Sequence, residues 1–178
     1  MISQLSFDKL PSKWKGPTLP VETINWDDCQ NFLKKLTEKC RGQLKGRTAQ
    51  LPTEAQWEYA YRAGTTTKWT FGDNGASIGD YAWTRENSGM QTHPVAQKKP
   101  NPWGFYDMGG NLWEWCQDWG MPFPPGDAVD PVGPATGTQR VLRGGSFDYV
   151  AAPARTSYRS RYNPGPRDPN DGLRVCVQ

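Results

Sequence analysis

Aliphatic side chains are scarce in this sequence. Leu, Ile, Val and Phe together account for 27 of the 178 residues, a share of about 15% that is typical of disordered chains. Disorder, however, normally combines few apolar residues with high net charge and few aromatics, whereas the net charge here is +3 and 22 residues are Phe, Trp or Tyr. Each of the nine tryptophans buries about 200 Å² when packed. The composition therefore predicts a folded, loop-rich domain with an aromatic core, and it argues against helical bundles and parallel-sheet enzymes.

Several other classes of protein are excluded by what the sequence does not contain. No run of about 18 apolar residues is present, so nothing is expected to span a membrane. Residues 1–16 have no hydrophobic segment of the kind found in signal peptides, and we therefore expect a cytoplasmic protein without membrane contact. A net charge of +3 gives only weak attraction to nucleic acid, which is not an expected partner.

The cysteines and the histidine limit the possible chemistry. Cys29, Cys40, Cys116 and Cys176 form no C-x-x-C pair and are too few for a disulfide scaffold, so reduced thiols are expected. If neighbouring strands bring Cys116 and Cys176 together, they would form a two-thiolate site for a soft metal ion, although buried, inert thiols are the commoner outcome. His93 is the one histidine, so a His-based triad or metal site has at most one candidate member.

Two helices are predicted in the first third of the chain. The first follows the N-cap Asn25 and is closed by Gly42. The second follows Thr53, which forms a capping box with Gln56, and it stops at Gly64. Beyond that glycine the sequence predicts short strands joined by long loops. The candidate strands are 67–71, 79–83, 111–117, 140–144 and 173–177.

The strongest local pattern is the segment 104–119, GFYDMGGNLWEWCQDW. Alternation after the two glycines predicts a strand, and the glycines allow close approach of the backbone. Asp107 and Glu114 would supply carboxylates to a Ca²⁺ ion, with backbone carbonyls as the remaining ligands. The alternative interpretation is that Glu114 pairs with a buried arginine.

From residue 140 to its end the chain contains seven arginines, no lysine and three acids. Arginine without lysine favours planar, bidentate bonds over a simple solvated charge. Because these arginines are spaced singly rather than clustered, we interpret them as braces that hydrogen-bond loop carbonyls and carboxylates. A nucleic-acid or phosphate surface is the alternative.

The ordered motifs of the chain resemble those of the formylglycine-generating enzyme family, also called sulfatase-modifying-factor domains. The resemblance runs from about residue 20 to 177 and includes PVETINW, RTAQLPTEAQWEYAYRAG, NPWGFYDMGGNLWEWCQDW, RVLRGGSF and GLRV. It implies a single domain over residues 1–178 with an irregular α+β fold of the C-type-lectin-like type. Such a fold has two N-terminal helices, short strands, long loops and bound Ca²⁺.

The resemblance also assigns one metal site. Asp107, Gly110, Leu112 and Glu114 match the ligands of a family Ca²⁺ site, in which the glycine and leucine act through their backbone carbonyls. A second family Ca²⁺ site needs a longer loop than this chain has between residues 83 and 94, so we do not carry it over.

The chain departs from the family where the active enzymes carry out catalysis. Those enzymes hold Cu(I) between two cysteines shortly after the GGS motif and use O₂ to convert a substrate cysteine into formylglycine. The matching positions here are Tyr149 and Ala154. Neither side chain offers the soft thiolate that Cu(I) prefers, so no copper and no catalytic residues are expected.

The beginning of the domain is a second departure. Family domains usually carry several dozen residues before the stretch that matches PVETINW, whereas about 20 precede it here. The N-terminal part of the domain is therefore expected to be short or missing. Three explanations stay open: a minimal version of the domain, a sheet with an open edge, or a domain that a partner chain completes.

Three functions stand as hypotheses. The first is a non-catalytic module that binds a protein or small-molecule ligand through its C-terminal loops, similar to the variable proteins of diversity-generating retroelements, because polar and Tyr-rich loops on a rigid frame have the chemistry of a paratope. The alternatives are a formylglycine-generating-type oxidoreductase for sulfatase maturation that uses a non-standard site, and an accessory domain of a larger complex. The candidate ligand contacts are Asp148, Tyr149, Ser160, Tyr162, Asn163, Asp168, Asn170 and Asp171.

Overall fold

The structure of the chain is a computed structural model that describes residues 11–123 and 125–178. Residues 1–10 contain the start of the predicted domain and most of the segment in which the sequence predicts no signal peptide, and these predictions therefore lie partly outside the described residues. In the described part of the chain no helix has the length and apolar character needed to cross a bilayer.

The first helix, α1, spans Trp26–Lys39 and begins where the sequence predicts it. Asn25 is its N-cap, and both halves of a capping box are formed there. The helix ends at the C-cap Cys40, and a short helix α2 (Arg41–Leu44) follows at once. The predicted end at Gly42 is therefore wrong, because this glycine lies inside α2.

The predicted second helix is α3, Glu54–Arg62. The Thr53 side chain accepts a hydrogen bond from the Gln56 backbone N–H at 3.2 Å, and the Gln56 side chain accepts one from Thr53 at 2.9 Å. Ala63 and Gly64 both have positive φ and stop the helix. The capping box and the position of the stop are confirmed.

The predictions for the next part of the chain were wrong. Where a strand was expected at 79–83, the chain forms a short helix, α4 (Ile78–Tyr81). The reason is local, since the Asn74 side chain accepts a hydrogen bond from Ala76 N and starts a 3-10 turn that leads into α4. The expected strand 67–71 is reduced to an isolated bridge between Trp69 and Gly72.

Two small sheets form the scaffold. The strands are β1 (Ala49–Gln50), β2 (Trp113–Trp119), β3 (Arg140–Arg143), β4 (Arg159–Tyr162), β5 (Asp171–Gly172) and β6 (Cys176–Val177). The main sheet has the order β4-β3-β2-β5, antiparallel except for the parallel β2–β5 pair, and β1 pairs antiparallel with β6. Strands β2 and β3 were predicted, β4 was not, and the predicted strand at 173–177 is reduced to β6.

The central sheet is covered by a helix on each face. Trp115 and Leu142 belong to a buried cluster with Leu33 of α1, whereas Cys116 and Val141 join a second cluster with side chains of α3. Aromatic side chains supply much of both clusters, so the aromatic core expected from the composition is present. The irregular α+β architecture of the C-type-lectin-like type is also as predicted.

Candidate functional site

Three of the predicted calcium ligands, Asp107, Gly110 and Leu112, lie on the loop that leads into β2, and Glu114 lies in β2 itself. Three residues of this loop, Asp107, Gly110 and Asn111, have positive φ values of 55°, 74° and 61°. Gly110 is bridged to Trp83, and a Cβ on this glycine would lie 2.3 Å from the Trp83 carbonyl oxygen. The backbone of the loop therefore depends on glycine at this position.

The two predicted carboxylate ligands face one cavity of about 510 Å³, which is also lined by Leu112 and Arg174. Asp107 accepts a hydrogen bond from Ala96 N through Oδ2 at 2.7 Å. Burial raises the pKa of Asp107, and the neighbouring Glu114 carboxylate contributes in the same direction. The Ala96 N–H and the Arg174 guanidinium act to lower the same pKa, so a cation already stands beside the two carboxylates.

Glu114 is held by Arg174. The guanidinium donates from Nη2 to Oε1 at 2.7 Å and from Nε to Oε2 at 2.9 Å, and Trp57 Nε1 donates to Oε2 at 2.7 Å. Burial acts to lower the pKa of Arg174, but Glu114 and Asp107 outweigh it and the pKa is raised. The pairing of Glu114 with an arginine, the alternative considered from the sequence, is thus present in the structure.

The donor set still suits Ca²⁺ chemically. Two carboxylates and two backbone carbonyls are hard oxygen donors, and a carboxylate offers about four acceptor directions. Glu114 uses three of these directions, so Oε1 retains one. Asp107 and Glu114 would supply the charge of the site and Gly110 and Leu112 its carbonyl oxygens, while Arg174 would stay bonded behind Glu114.

Six of the seven arginines from residue 140 onward donate hydrogen bonds to carbonyls or carboxylates, as the bracing interpretation predicts. Arg143 donates to the carbonyls of Thr156 at 2.7 Å and Tyr158 at 2.8 Å and also pairs with Glu58. Arg159 forks onto Glu54 at 2.5 and 2.6 Å. These bonds connect the segment between β3 and β4 to α3.

The candidate ligand contacts fall into two groups, of which the first forms a cluster. Asn170 Nδ2 donates to Asp148 Oδ2 at 3.1 Å, and its backbone N–H donates to Asp168 Oδ1 at 2.9 Å. Asp171 is next in the chain and is buried, whereas Tyr149 is 42% exposed. We call these five residues, Asp148, Tyr149, Asp168, Asn170 and Asp171, the acidic recess.

The second group lies on and after the edge strand β4. Tyr162 is 42% exposed, Ser160 is half-buried opposite Leu142 of β3, and Asn163 is exposed. Among the described residues, no hydrogen bond, salt bridge or ring contact joins these three to the acidic recess, so the eight candidates form two patches. Sequence reasoning missed Ser146, which donates to Asp148 at 2.6 Å, because nothing in its local sequence indicates that contact.

The positions that match the family's copper cysteines differ in exposure. Tyr149 packs edge-on against Trp113, with ring centroids 5.5 Å apart, whereas Ala154 is buried. Cys116 and Cys176 lie on strands of different sheets, and the structure therefore does not pair them as neighbouring strands would. All four thiols are free, and burial raises the pKa of Cys116 well above its ordinary value.

Comparison with known proteins agrees with this architecture. A family model described as "sulfatase-modifying factor enzyme 1-like domain" matches residues 6–178. The formylglycine-generating enzyme of Streptomyces coelicolor is 34% identical over 177 residues, and the match covers 90% of this chain and 53% of that enzyme. The serine/threonine-protein kinase pkn1 of Chlamydia pneumoniae is 38% identical over 162 residues, covering 88% of this chain and 24% of the kinase. The chain thus spans about half of the first relative and a quarter of the second.

A solved structure resembles the chain along most of its length. Treponema denticola variable protein 1 superposes with a TM-score of 0.87 at 33% identity, and the match covers 94% of this chain and 77% of that one. Together with the motifs, the two-sheet scaffold and the family match, this similarity establishes the relationship. The chain belongs to the sulfatase-modifying factor enzyme 1-like domain family.

Proposed function

We propose that the chain is a non-catalytic module that binds a protein or small-molecule ligand through the loops at 148–171. The observation that carries this proposal is the contrast between a fixed frame and exposed contact residues within one segment. Arg143, which is fully buried, and Arg159 fix the segment to α3 through salt bridges. Tyr149 and Tyr162, in contrast, are each 42% exposed.

Such an arrangement suits recognition. Tyrosine gives a large contact area at low cost in conformational entropy, and short polar residues adapt their hydrogen bonds to the ligand. Loops that the rest of the fold already holds in place lose less conformational freedom when a ligand binds. A given contact therefore contributes more to the affinity. Similarity to a protein titled variable protein 1 supports the further proposal that the segment belongs to the retroelement-diversified class.

Two companion proposals concern the environment of the module. Ca²⁺ would be held at Asp107, Gly110, Leu112 and Glu114 and would stabilise the loop before β2. Four free thiols fit a reducing compartment such as the cytoplasm.

Selection of peptides from a random library on the immobilised chain tests the proposed function. We expect selected peptides to lose binding when Tyr149 and Tyr162 are both replaced by alanine. The matched control is Tyr59→Ala, since Tyr59 is an exposed tyrosine on α3 outside the segment. Peptides that bind the double variant as well as the original chain would refute binding through these loops.

The retroelement version has a test of its own. An imperfect repeat of the coding region for residues 140–178 near the gene, differing mainly at adenines of the template copy, is expected. Without such a repeat the binding module would stand but the diversification would not.

The second candidate function is an oxidoreductase of the formylglycine-generating type, which the 34% identity to such an enzyme favours. Anaerobic Cu(I) titration, followed by a thiol-peptide turnover assay in aerated buffer that supplies the oxidant O₂, tests it. Stoichiometric copper binding and an aldehyde product would replace the proposed function with catalysis.

Stable co-purification with a kinase would favour a third function, an accessory role in a larger complex, which the match to pkn1 suggests.

A further inference from the structure

The acidic recess brings three carboxylates together around one asparagine. Asn170 bonds to Asp148 through its side chain and to Asp168 through its backbone. The Asp171 N–H donates to the Asp168 carbonyl at 3.2 Å. Two loops that are about 20 residues apart in the sequence therefore place three acids in one small volume.

Two acceptor atoms in this recess are buried and have no donor among the described residues. They are Oδ2 of Asp171, a residue that is 3% exposed, and Oδ1 of Asn170. Folded proteins rarely leave a buried acceptor unsatisfied, because the group has lost its hydrogen bonds to water without replacing them. Adjacent unpaired acceptors next to an exposed tyrosine indicate a place for an N–H donor that is brought by a ligand.

No ion pair between described residues involves these three carboxylates. Arg85 is a nearby basic residue, but its Nε donates to the backbone carbonyl of Asp148 at 2.6 Å. Burial, then Asp168 and Asp148, raise the pKa of Asp171 to about 8. Below about pH 8 a proton on Asp171, rather than a guanidinium as at Glu114, therefore limits the repulsion in the recess.

The groups around the recess favour an organic cation over a metal ion. Within the described ranges, no group of three or more His, Cys, Asp or Glu side chains is arranged to hold a metal. Tyr149, which is 42% exposed, packs edge-on against Trp113. An aromatic ring beside carboxylates suits a cation that carries several N–H donors, because ring and charges act together.

We propose that the acidic recess binds an ammonium or guanidinium group, with the buried acceptors of Asn170 and Asp171 receiving its N–H donors and Tyr149 covering it. This inference rests on the proposed function, because it names the chemistry that the binding loops recognise. The group would come from a lysine or arginine side chain of a peptide, or from a free polyamine.

Titration of the ¹⁵N-labelled chain with three probes tests the inference. The probes are a capped glycine-lysine-glycine peptide, its norleucine counterpart and spermidine. We expect the lysine peptide to shift the amide signals of Tyr149, Asn170 and Asp171 saturably and the norleucine peptide to leave them unchanged. If spermidine binds and the lysine peptide does not, the source is a free polyamine and the recognised chemistry is as proposed.

Two variants locate the binding. Asp171→Asn keeps the shape of the side chain but cannot ionise when the cation binds, and it is expected to weaken binding of the lysine peptide at least about tenfold. Tyr149→Ala, at an exposed position, gives a second measurement in case the buried variant does not fold. Asp130→Asn, exposed in the loop before β3, is the matched control and should bind normally.

Three outcomes would overturn the inference, and they are distinguishable from failure of the proposed function. Equal binding of the lysine and norleucine peptides would show that charge is not recognised. Displacement of the lysine peptide by CaCl₂ at the same amide signals would make the recess a metal site. If peptides selected on the binding loops need no basic residue, the proposed function stands and the cation inference fails. If neither a selected peptide nor spermidine depends on these loops for binding, both fail.

Discussion

Arg174 donates hydrogen bonds to both carboxylate oxygens of Glu114, at 2.7 Å to Oε1 and 2.9 Å to Oε2. Because Trp57 donates to the same carboxylate, Glu114 connects the C-terminal segment to α3 across the central strand β2. The residue assigned to calcium from the family resemblance is therefore also a structural anchor. The following two predictions separate these roles.

Calcium is expected to stabilise the folded chain. A ligand that binds only the folded state at 100 times its dissociation constant adds about 2.7 kcal/mol, so Tm should rise on adding CaCl₂ and fall back with a chelator. Asp107→Asn should abolish the rise, whereas Asp130→Asn should retain it. An unchanged Tm over millimolar CaCl₂ would contradict the calcium site and leave Arg174 as the sole charge partner of Glu114.

Removing the guanidinium of Arg174 should destabilise the folded chain, because the Glu114 carboxylate with which it pairs is buried. Arg174→Met leaves Glu114, whose side chain is 10% exposed, without its charge partner, and we expect a loss of about 2–3 kcal/mol, near the lower end for buried pairs. Arg167→Met is the matched control, because Arg167 forks onto Asp28 with the same geometry but is 53% exposed. Its loss should stay below about 1 kcal/mol. Equal losses in urea unfolding would contradict the importance of burial here.

The parts of the fold that were predicted correctly are those that local chemistry determines. Thr53 and Gln56 are three residues apart and need no distant partner to form their capping box. Strand β4 escaped prediction because its residues, RSRY, carry no apolar alternation and pair at the sheet edge only because β3 is there. Strand β5 consists of Asp171 and Gly172 and exists through pairing with β2.

The same distinction applies to the candidate site. The sequence identifies Asp148, Asp168 and Asp171 as polar residues between framework arginines, but it does not show that Asn170 joins them. Nor does it show that Ser160 and Tyr162 lie in a separate patch on β4. These relationships depend on how loops distant in the sequence fold back onto the sheet, which no local pattern encodes.

Glycine at position 110 is expected to be essential for the loop that carries the calcium ligands. Gly110→Ala adds a Cβ that would lie 2.3 Å from the Trp83 carbonyl oxygen at a φ of +74°. Gly64→Ala is the matched control, because it has a similar φ of +86° and open space around the added Cβ. We expect Gly64→Ala to cost about 1–2 kcal/mol from backbone strain alone and Gly110→Ala to cost clearly more. Similar losses in thermal unfolding would show that the loop shifts to accept the methyl group.

Asp171 should make the stability of the chain depend on pH. Its pKa of about 8 exceeds the value near 4 of an unfolded carboxyl, so between about pH 4 and 8 the folded state binds more protons than the unfolded state. The contribution is fully present below pH 4 and is lost as the pH rises through 8, which lowers the free energy of unfolding across this window. Asp148 and Asp168 are the charged groups that oppose its ionisation, while Tyr149 and Cys29 have pKa values raised partly by Asp171.

Comparing variants isolates this contribution from the other titrating groups. Asp171→Asn cannot ionise, so the stability of the original chain relative to this variant should decline from pH 5 to pH 9 in urea unfolding. Asp130→Asn removes one acid at an exposed position and should follow the original chain at every pH. If the Asp171→Asn and original curves ran parallel, Asp171 would ionise as readily in the folded chain as in the unfolded chain. The recess would then hold its charges without the repulsion that makes a cationic ligand favourable.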